Sequence, residues 1–244
     1  MIQIINISKS FNGHKVLDKV NLEVKEGATT VIIGSSGCGK TVLLKHIIGL
    51  IRPDEGEVIV DGLKVSNLYG AELFKFRERI AIVFQGSALL DSLTVADNIT
   101  LGLREHTKLS KAELSKIVDE KLALVKMEGT QNLMPSSLSG GMKKRVAIAR
   151  ALAMNPEYIL YDEPTTGLDP ITADKIDELI CDLKKTLSIT MMIVTHDLIS
   201  AYRIADKIAM LAGGKIIFEG TSSEVKHCKS EEVRKFVYGR GGML

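Results

Sequence analysis

The stretch Gly34-Ser35-Ser36-Gly37-Cys38-Gly39-Lys40-Thr41 decides the fold of this 244-residue chain. It matches the P-loop pattern, in which one glycine and four further residues precede Gly-Lys-Thr. The β-branched run Thr29–Ile33 comes before it, and a helix is predicted to begin near Val42. Since a strand, a glycine-rich loop and a helix follow in this order, we expect backbone N–H groups of the loop to point at phosphate oxygens.

The last two residues of this loop predict a nucleotide with Mg²⁺. Lys40 is expected to reach the β- and γ-phosphates, and the hydroxyl of Thr41 to hold the metal ion. The alternative is an accidental glycine-rich turn, and average composition produces the pattern in roughly one chain of this length in a hundred. The predicted strand and helix on either side favour the phosphate-binding loop.

A second chemical signal is the segment Tyr158-Ile159-Leu160-Tyr161-Asp162-Glu163-Pro164. It predicts an apolar strand that ends in two carboxylates. In a P-loop enzyme the aspartate at this position supports Mg²⁺, and the next residue, Glu163, can polarise the attacking water as a general base. Alone, an acidic pair at a strand end is usually a solvated turn, but the P-loop favours the catalytic interpretation.

The third signal is the segment Leu138–Leu152, of sequence LSGGMKKRVAIARAL. Its residues Ser139, Gly140 and Gly141 predict a second anion-binding turn that opens a helix. One nucleotide does not need two such turns in one chain, so the partner of the second turn is an open question. The basic run 143–145 that follows is expected to be a solvated face of the helix.

Further apolar runs without alternation indicate strands that are buried on both faces, as in a parallel sheet covered by helices. Other segments alternate as half-exposed strands do. The intervening stretches have helical character, which is the α/β pattern. The continuous runs are Thr29–Ile33, Ile80–Phe84, Tyr158–Tyr161 and Met191–Val194, and the alternating ones are Gln3–Ile7, Val20–Val24, Glu57–Val60 and Lys215–Phe218.

The middle of the chain predicts an inserted helical subdomain. Ser110 and Glu113 have the spacing of a capping box, and apolar residues recur behind them at helical spacing. We therefore predict one domain over residues 1–244. Its expected parts are a core of about 1–87 and 154–225, a helical subdomain of about 88–153 and a C-terminal tail of about 226–244.

Composition limits the classes of function. The chain has 45% hydrophobic and 25% charged residues, which is typical of a folded domain and excludes a disordered one. The net charge of +2 gives no support to a nucleic-acid partner. No signal peptide or run of 18 apolar residues is visible, and three cysteines in a chain of this size favour a reducing compartment. We expect a cytosolic protein.

Seven motifs in register give the chain a clear resemblance to the ATP-binding-cassette (ABC) ATPases. The resemblance implies a P-loop NTPase (RecA-like) α/β core with an N-terminal antiparallel β-subdomain and an inserted α-helical subdomain. The motifs resemble Walker A (34–41), the adenine-stacking aromatic (Phe11), the Q-loop glutamine (Gln85), the signature (138–142), Walker B with its glutamate (158–164), the D-loop (167–169) and the switch histidine (His196).

The family also implies a head-to-tail dimer in which each ATP lies between Walker A of one copy and the signature turn of the other. That arrangement answers the question of the second turn, and it implies little hydrolysis by a single chain. The implied catalytic residues are Glu163, His196 and Gln85, and the implied Mg²⁺ ligands are Thr41, Gln85 and Asp162. The signature residues Ser139, Gly140 and Gly141 would bind the ATP of the partner copy, and Asp169 belongs to the D-loop. The residues implied to bind the chain's own ATP are Phe11, Gly34, Ser35, Ser36, Gly37, Cys38, Gly39, Lys40, Thr41 and Asp162.

Three of these assignments have ordinary alternatives. Phe11 could be a core aromatic, Gln85 a plain polar residue at a strand end, and His196 a surface histidine. Cys38 is expected to contribute only its backbone N–H to the loop.

One compact cassette without coiled-coil or zinc insertions favours the transporter class of the family, with a membrane permease as a separate chain. The segment 84–110, Met142 in the signature and the terminal Phe236–Gly239 resemble ATPases of Mla/MCE-type phospholipid transporters. This implies a peripheral location on the cytoplasmic face of the inner membrane. Implied partners are a second copy, a permease, an MCE-domain lipid-binding protein and a small cytosolic accessory subunit. An importer of a soluble solute such as an amino acid, and a regulator without a permease, remain alternatives.

Overall fold

The structure is a computed structural model, and it describes residues 1–239. Residues 240–244, which close the predicted C-terminal tail, lie outside the described residues. Two compact units are distinguished: a first unit formed by Met1–Arg77 with the described residues from Ser188 onward, and a second unit, Glu78–Leu187. Within residues 1–239, no helix is both long and apolar enough to cross a membrane.

Ten strands and nine α-helices account for most of residues 1–239. The strands are β1 (Ile2–Phe11), β2 (His14–Val24), β3 (Thr29–Ile33), β4 (Glu55–Val60), β5 (Leu63–Lys64), β6 (Ile80–Val83), β7 (Tyr158–Asp162), β8 (Thr190–Thr195), β9 (Lys207–Ala212) and β10 (Lys215–Gly220). The helices are α1 (Lys40–Ile47), α2 (Gly70–Glu78), α3 (Val95–His106), α4 (Lys111–Leu124), α5 (Gly140–Leu152), α6 (Pro170–Thr186), α7 (Leu198–Ile204), α8 (Ser222–Lys226) and α9 (Glu231–Tyr238).

An antiparallel sheet in the order β2-β1-β4-β5 begins the first unit. Ile4 on the central strand β1 lies opposite Leu22 of β2 and Val58 of β4, and all three side chains are buried. The alternation of buried and exposed residues that the sequence showed therefore belongs to a sheet with one face on the core. This is the predicted N-terminal β-subdomain.

The P-loop strand β3 lies in a largely parallel arrangement of the first unit, in the order β10-β9-β3-β8. Val31 of β3 lies opposite Ile193 of β8 and Ile208 of β9, and every residue of β3 is buried. Strand β9 was not among the predicted strands. Its Ala209 and Met210 lack the β-branched side chains on which that prediction depended.

In the second unit, β6 and β7 pair in parallel, with Ile80 opposite Tyr158 and Val83 opposite Tyr161. The prediction that β6 is buried on both faces was wrong for its middle residues, which are half-buried because β6 is an edge strand.

Helices α3, α4 and α5 fall within the predicted helical segment 88–153. The predicted capping box of α4 is confirmed: Ser110 Oγ accepts from the Glu113 N–H at 3.3 Å, and the Glu113 carboxylate accepts from the Ser110 N–H at 2.7 Å. The division of the chain into one domain with these subdomain bounds stays a prediction.

Candidate functional site

The P-loop follows β3 directly, and α1 begins inside it at Lys40, two residues earlier than predicted. Gly39, the residue before the helix, has a φ of 107°, which side chains rarely tolerate. A Cβ at this position would also lie 3.0 Å from Leu17 Cδ2 and 3.1 Å from Val16 Cγ1. Backbone conformation and lack of space therefore both require glycine here.

Lys40 lies on the inner side of this loop, with 5% of its surface exposed. Its ammonium donates to the carbonyl oxygens of Gly34 at 2.8 Å and Ser35 at 3.1 Å. The crest formed by residues 35–37 is exposed, and Thr41 is half-buried in the first turn of α1. A cation is thus held beneath an open loop whose backbone can receive an anion.

Two other predicted residues of the first unit are near the ends of strands. Phe11 ends β1 with 41% of its surface exposed, which excludes the core-aromatic alternative, and the Lys9 ammonium lies 5.5 Å from its ring centroid. His196 is exposed in the turn after β8. The next residue, Asp197, caps α7 by accepting from the Ile199 N–H at 2.8 Å, so this turn is fixed.

The carboxylates of the second unit lie at the end of β7. Asp162 and Glu163 are buried, with 4% and 7% of their surfaces exposed. Glu163 has a φ of 50°, and its carboxylate accepts a hydrogen bond from the hydroxyl of Thr166 at 3.0 Å. A buried carboxylate in one fixed orientation suits a group that must act on a water molecule at a defined point.

The prediction that the basic run 143–145 is a solvated face was wrong. Lys144 is buried, and its ammonium donates to the carbonyl oxygens of Gln85 at 2.6 Å and Glu163 at 3.3 Å. Arg145 donates to the carbonyl oxygen of Val125 at 2.8 Å. Burial lowers the pKa of Lys144, and the carboxylates of Asp162 and Glu163 partly oppose that effect.

Helical spacing in the sequence was the signal that could have indicated that Lys144 is buried. It lies three residues after the buried Gly141 and four before the buried Ile148, on the apolar stripe of α5. Its ammonium joins two predicted site residues that are far apart in the sequence. Gln85 itself is exposed, in the segment that follows β6.

The signature turn opens α5. Ser139 is the N-cap, and its hydroxyl accepts from the Met142 N–H at 3.3 Å. A Cβ on Gly141 would lie 2.5 Å from Thr172 Cγ2, so α5 packs against α6 at a distance that only glycine allows. Asp169, the predicted D-loop residue, caps α6 through the Thr172 N–H at 3.0 Å.

Hydrogen bonds from Thr172 to the Asp169 carboxylate hold its pKa below the ordinary value. The structure thus places the signature turn and the D-loop side by side. Ser139 and Gly140 are exposed, so the N-terminus of α5 is open to a ligand.

The predicted site residues form two groups. Within the first unit are Lys40, Thr41 and the rest of the P-loop, and within the second unit Gln85, Asp162 and Glu163 are linked through Lys144. The proposed Mg²⁺ ligands offer a hydroxyl, an amide and a carboxylate oxygen, which are donors that this ion prefers. One nucleotide site made from both groups stays a prediction.

Comparisons with known proteins identify the family of this chain. The sequence model of the family described as ABC transporter matches residues 17–166. The intermembrane phospholipid transport system ATP-binding protein MlaF of Haemophilus influenzae is 40% identical over 239 residues, which cover 98% of this chain and 90% of that protein. A probable ribonucleotide transport ATP-binding protein of Mycobacterium tuberculosis, mkl, is 38% identical, with coverage of 98% and 67%.

Two solved structures have the same fold. The dimeric ATP-binding cassette MJ0796, in a post-hydrolysis state with ADP and Pi, gives a TM-score of 0.83 at 37% identity and covers 91% of this chain and 99% of its own. The cbiO1 subunit of a Clostridium perfringens ABC transporter complex gives 0.84 at 32% identity, with coverage of 98% and 94%. The antiparallel β-subdomain, the P-loop core and the helical insertion are therefore those of an ABC cassette.

Proposed function

The chain belongs to the ABC transporter family and is an ATPase, and from this premise we propose that it energises the transport of phospholipids between membranes. The observation that carries the substrate class is the 40% identity to MlaF over nearly the whole of both chains. The segment 84–110 and Met142 of the signature motif support it, because they resemble the ATPases of such transporters.

The proposed chemistry is hydrolysis of the terminal phosphate of ATP. Glu163 accepts a proton from the attacking water, whose oxygen bonds to the γ-phosphorus as the bond to the β–γ bridging oxygen breaks. The P-loop amides and Lys40 stabilise the charge on the phosphate oxygens. Phe11 stacks on adenine, and Gln85 and His196 orient the water and the γ-phosphate. Mg²⁺, held by Thr41, Gln85 and Asp162, would neutralise further phosphate charge.

The proposed active form is a head-to-tail pair of copies. Its support is the N-terminus of α5, where Ser139 and Gly140 are exposed and Gly141 is buried behind them. This turn would offer backbone N–H groups and a positive helix end to the partner's γ-phosphate. The similar cassette MJ0796 is dimeric in its state with ADP and Pi. Hydrolysis then requires two copies, and ATP binding is the event that brings them together.

The further proposed partners are an integral membrane permease, an MCE-domain lipid-binding protein and a small cytosolic accessory subunit. The chain would lie against the cytoplasmic face of the inner membrane. Membership of a transporter family supports the permease, and the similarity to MlaF supports a lipid carrier.

A second candidate substrate is a soluble solute. The similarity to mkl, named as a probable ribonucleotide transport protein, favours it at 38% identity over 98% of this chain. The ATPase chemistry would be the same, with a different permease and a solute-binding protein in place of the lipid carrier.

A pull-down with tagged Glu163→Gln protein from detergent-solubilised native membranes tests the proposal. This change removes the general base, so we expect turnover to fall by about 100-fold or more while ATP binding persists and the ATP-bound dimer is trapped. The matched control is Glu128→Gln, because Glu128 is an exposed glutamate outside the proposed site, and this variant should keep normal turnover. Mass spectrometry of proteins and lipids then identifies the partners.

Recovery of a permease, an MCE-domain protein and enriched phospholipid supports the lipid proposal. A permease with a solute-binding protein supports the second candidate. Absence of any membrane partner contradicts the transport proposal, and unchanged turnover of Glu163→Gln contradicts the assignment of the general base.

A further inference from the structure

We propose that Lys144 is a positioning residue for ATP hydrolysis, which fixes the backbone of Gln85 and Glu163 and ties both to the signature helix. The inference rests on the proposed function in one respect, because it takes Glu163 as the general base and Gln85 as a ligand of the reacting groups. Lys144 itself is not expected to touch ATP.

The contacts of the Lys144 ammonium carry this inference. It is 95% removed from solvent and donates to the carbonyl oxygen of Gln85 at 2.6 Å and of Glu163 at 3.3 Å. Burial of an ammonium costs free energy unless acceptors such as these carbonyl oxygens accept its hydrogen bonds. The same hydrogen bonds hold the two carbonyl groups in place. Lys144 thus connects two segments that the sequence separates by 77 residues.

Glu163 needs such an anchor because its backbone is strained. Its φ of 50° lies in the left-handed region, which a glutamate rarely adopts without help from its surroundings. The Lys144 ammonium holds the carbonyl group, while the Thr166 N–H donates to the same carbonyl oxygen at 3.3 Å and the Thr166 hydroxyl holds the carboxylate. Together these bonds fix the direction in which the carboxylate points.

The segment after Gln85 is held by the same helix at a second point. Ser87 and Ala88 also have left-handed backbones, with φ of 62° and 48°. The guanidinium of Arg150, near the end of α5, donates to their carbonyl oxygens at 2.8 and 2.6 Å. Residues 85–88 are therefore attached to α5 at both ends.

Helix α5 therefore has two different duties. Its exposed N-terminal turn is proposed to contact the ATP of the partner copy, while Lys144 and Arg150 hold groups proposed for the ATP site of its own copy. A shift of α5 on ATP binding would move Gln85 and Glu163 with it. Lys144 then links the occupancy of one ATP site to the geometry of the other.

Lys144→Met is the decisive variant, because methionine keeps the length and apolar stem but donates no hydrogen bond. We expect kcat of the full chain to fall by about 10- to 100-fold, as for a reacting group displaced by about 1 Å, with the KM for ATP changed less than about threefold. Lys143→Met is the matched control: Lys143 is the neighbour on the same helix, donates to neither carbonyl oxygen and is only half-buried. It should retain wild-type kcat.

Rescue and trapping separate positioning from a purely structural role. Lys144→Arg can still donate to both carbonyl oxygens and should recover part of the lost kcat. In the Glu163→Gln background, Lys144→Met should still form the ATP-bound dimer on gel filtration, because binding does not depend on the position of the base.

The inference is overturned by wild-type kcat in Lys144→Met, or by a loss confined to ATP affinity and dimer formation. If Lys144→Met does not fold, the kcat and KM of Lys144→Arg and Lys144→Gln decide between the same outcomes. If Glu163→Gln abolishes turnover while Lys144→Met does not reduce it, only this inference fails. If Glu163→Gln leaves turnover intact, the proposed general base fails instead.

Discussion

The P-loop turn and the signature turn both place glycines at the start of a helix, but they need glycine for different reasons. In the P-loop, Gly39 has a φ of 107°, and α1 has no side-chain cap. In the signature turn, Gly140 and Gly141 lie in the first turn of α5 without a positive φ, and Ser139 caps the helix through its hydroxyl.

Packing rather than backbone conformation explains the signature glycines, strongly at Gly141 and weakly at Gly140. A Cβ on Gly140 would lie 3.2 Å from Leu168 Cδ2, and one on Gly141 would lie 2.5 Å from Thr172 Cγ2. Their role is to bring the helix that carries the signature close to the helix that follows the D-loop. Similar motifs in a sequence can therefore depend on different physical constraints, and mutations can tell them apart.

Gly39→Ala should have the largest effect. The new Cβ forces an unfavourable φ and meets Leu17 and Val16, so we expect the free energy of unfolding to fall by about 2–5 kcal/mol. The distorted loop should also bind ATP at least about 100-fold more weakly, a loss of about 2.7 kcal/mol. Urea denaturation and isothermal titration with ATP measure the two losses.

Gly37→Ala is the matched control for this prediction. Gly37 also has a positive φ, 79°, but apart from its own residue and its two chain neighbours no atom lies within 4 Å of a Cβ placed there. Its stability loss should be smaller, near the lower end of the range of about 1–3 kcal/mol that backbone strain alone costs. Equal stability of Gly39→Ala and the wild type would show that the loop does not need this backbone conformation.

Gly141→Ala should have an intermediate effect, and unlike Gly39→Ala it should be rescued by a change elsewhere. The Cβ meets one methyl group of Thr172, so we expect a loss of about 1–3 kcal/mol from overpacking. Thr172→Ser removes that methyl group but keeps the hydroxyl that bonds to Asp169. The double variant should be more stable than the sum of the single effects predicts, as a double-mutant cycle in urea would measure.

Two results would contradict the proposed difference between the P-loop turn and the signature turn. Additive effects in the cycle would mean that contact with Thr172 does not explain why glycine is present. A corresponding truncation beside Gly39, Val16→Ala, should not restore Gly39→Ala, since the φ of 107° remains unfavourable for alanine.

Local patterns of the sequence predicted the parts of the fold that depend on neighbouring residues. The strand Thr29–Ile33 and the capping box of Ser110 and Glu113 are found as predicted, because each is determined within a few residues. The roles of Lys144 and Gly141 were not predicted in this way. The first depends on carbonyl oxygens of residues 85 and 163, and the second on a methyl group of residue 172.

The predicted solvated face failed for the same physical reason. Lysine is rarely buried unless acceptor groups form hydrogen bonds with its ammonium. The run 143–145 was therefore predicted to lie on the surface. The partners of Lys144 are backbone carbonyl groups. Every residue has such a group, so the residue types in the sequence do not indicate which of them will lie near Lys144. The motifs named individual site residues through their resemblance to a family, but they could not show which segments would be held together.

Ser139→Ala should have the smallest effect on stability, and it tests whether the signature turn has a role beyond capping. Loss of the cap costs about 1 kcal/mol of stability. The matched change Ser110→Ala in α4 should cost at least as much, because Glu113 completes a capping box in α4. In α5 the corresponding residue is Met142, which cannot complete such a box. Thermal denaturation compares the two losses. Only Ser139→Ala should also lower the ATPase rate of the full chain, since only this turn is proposed to face the partner's γ-phosphate. If both variants lose activity in proportion to stability, the signature turn acts as a helix cap alone.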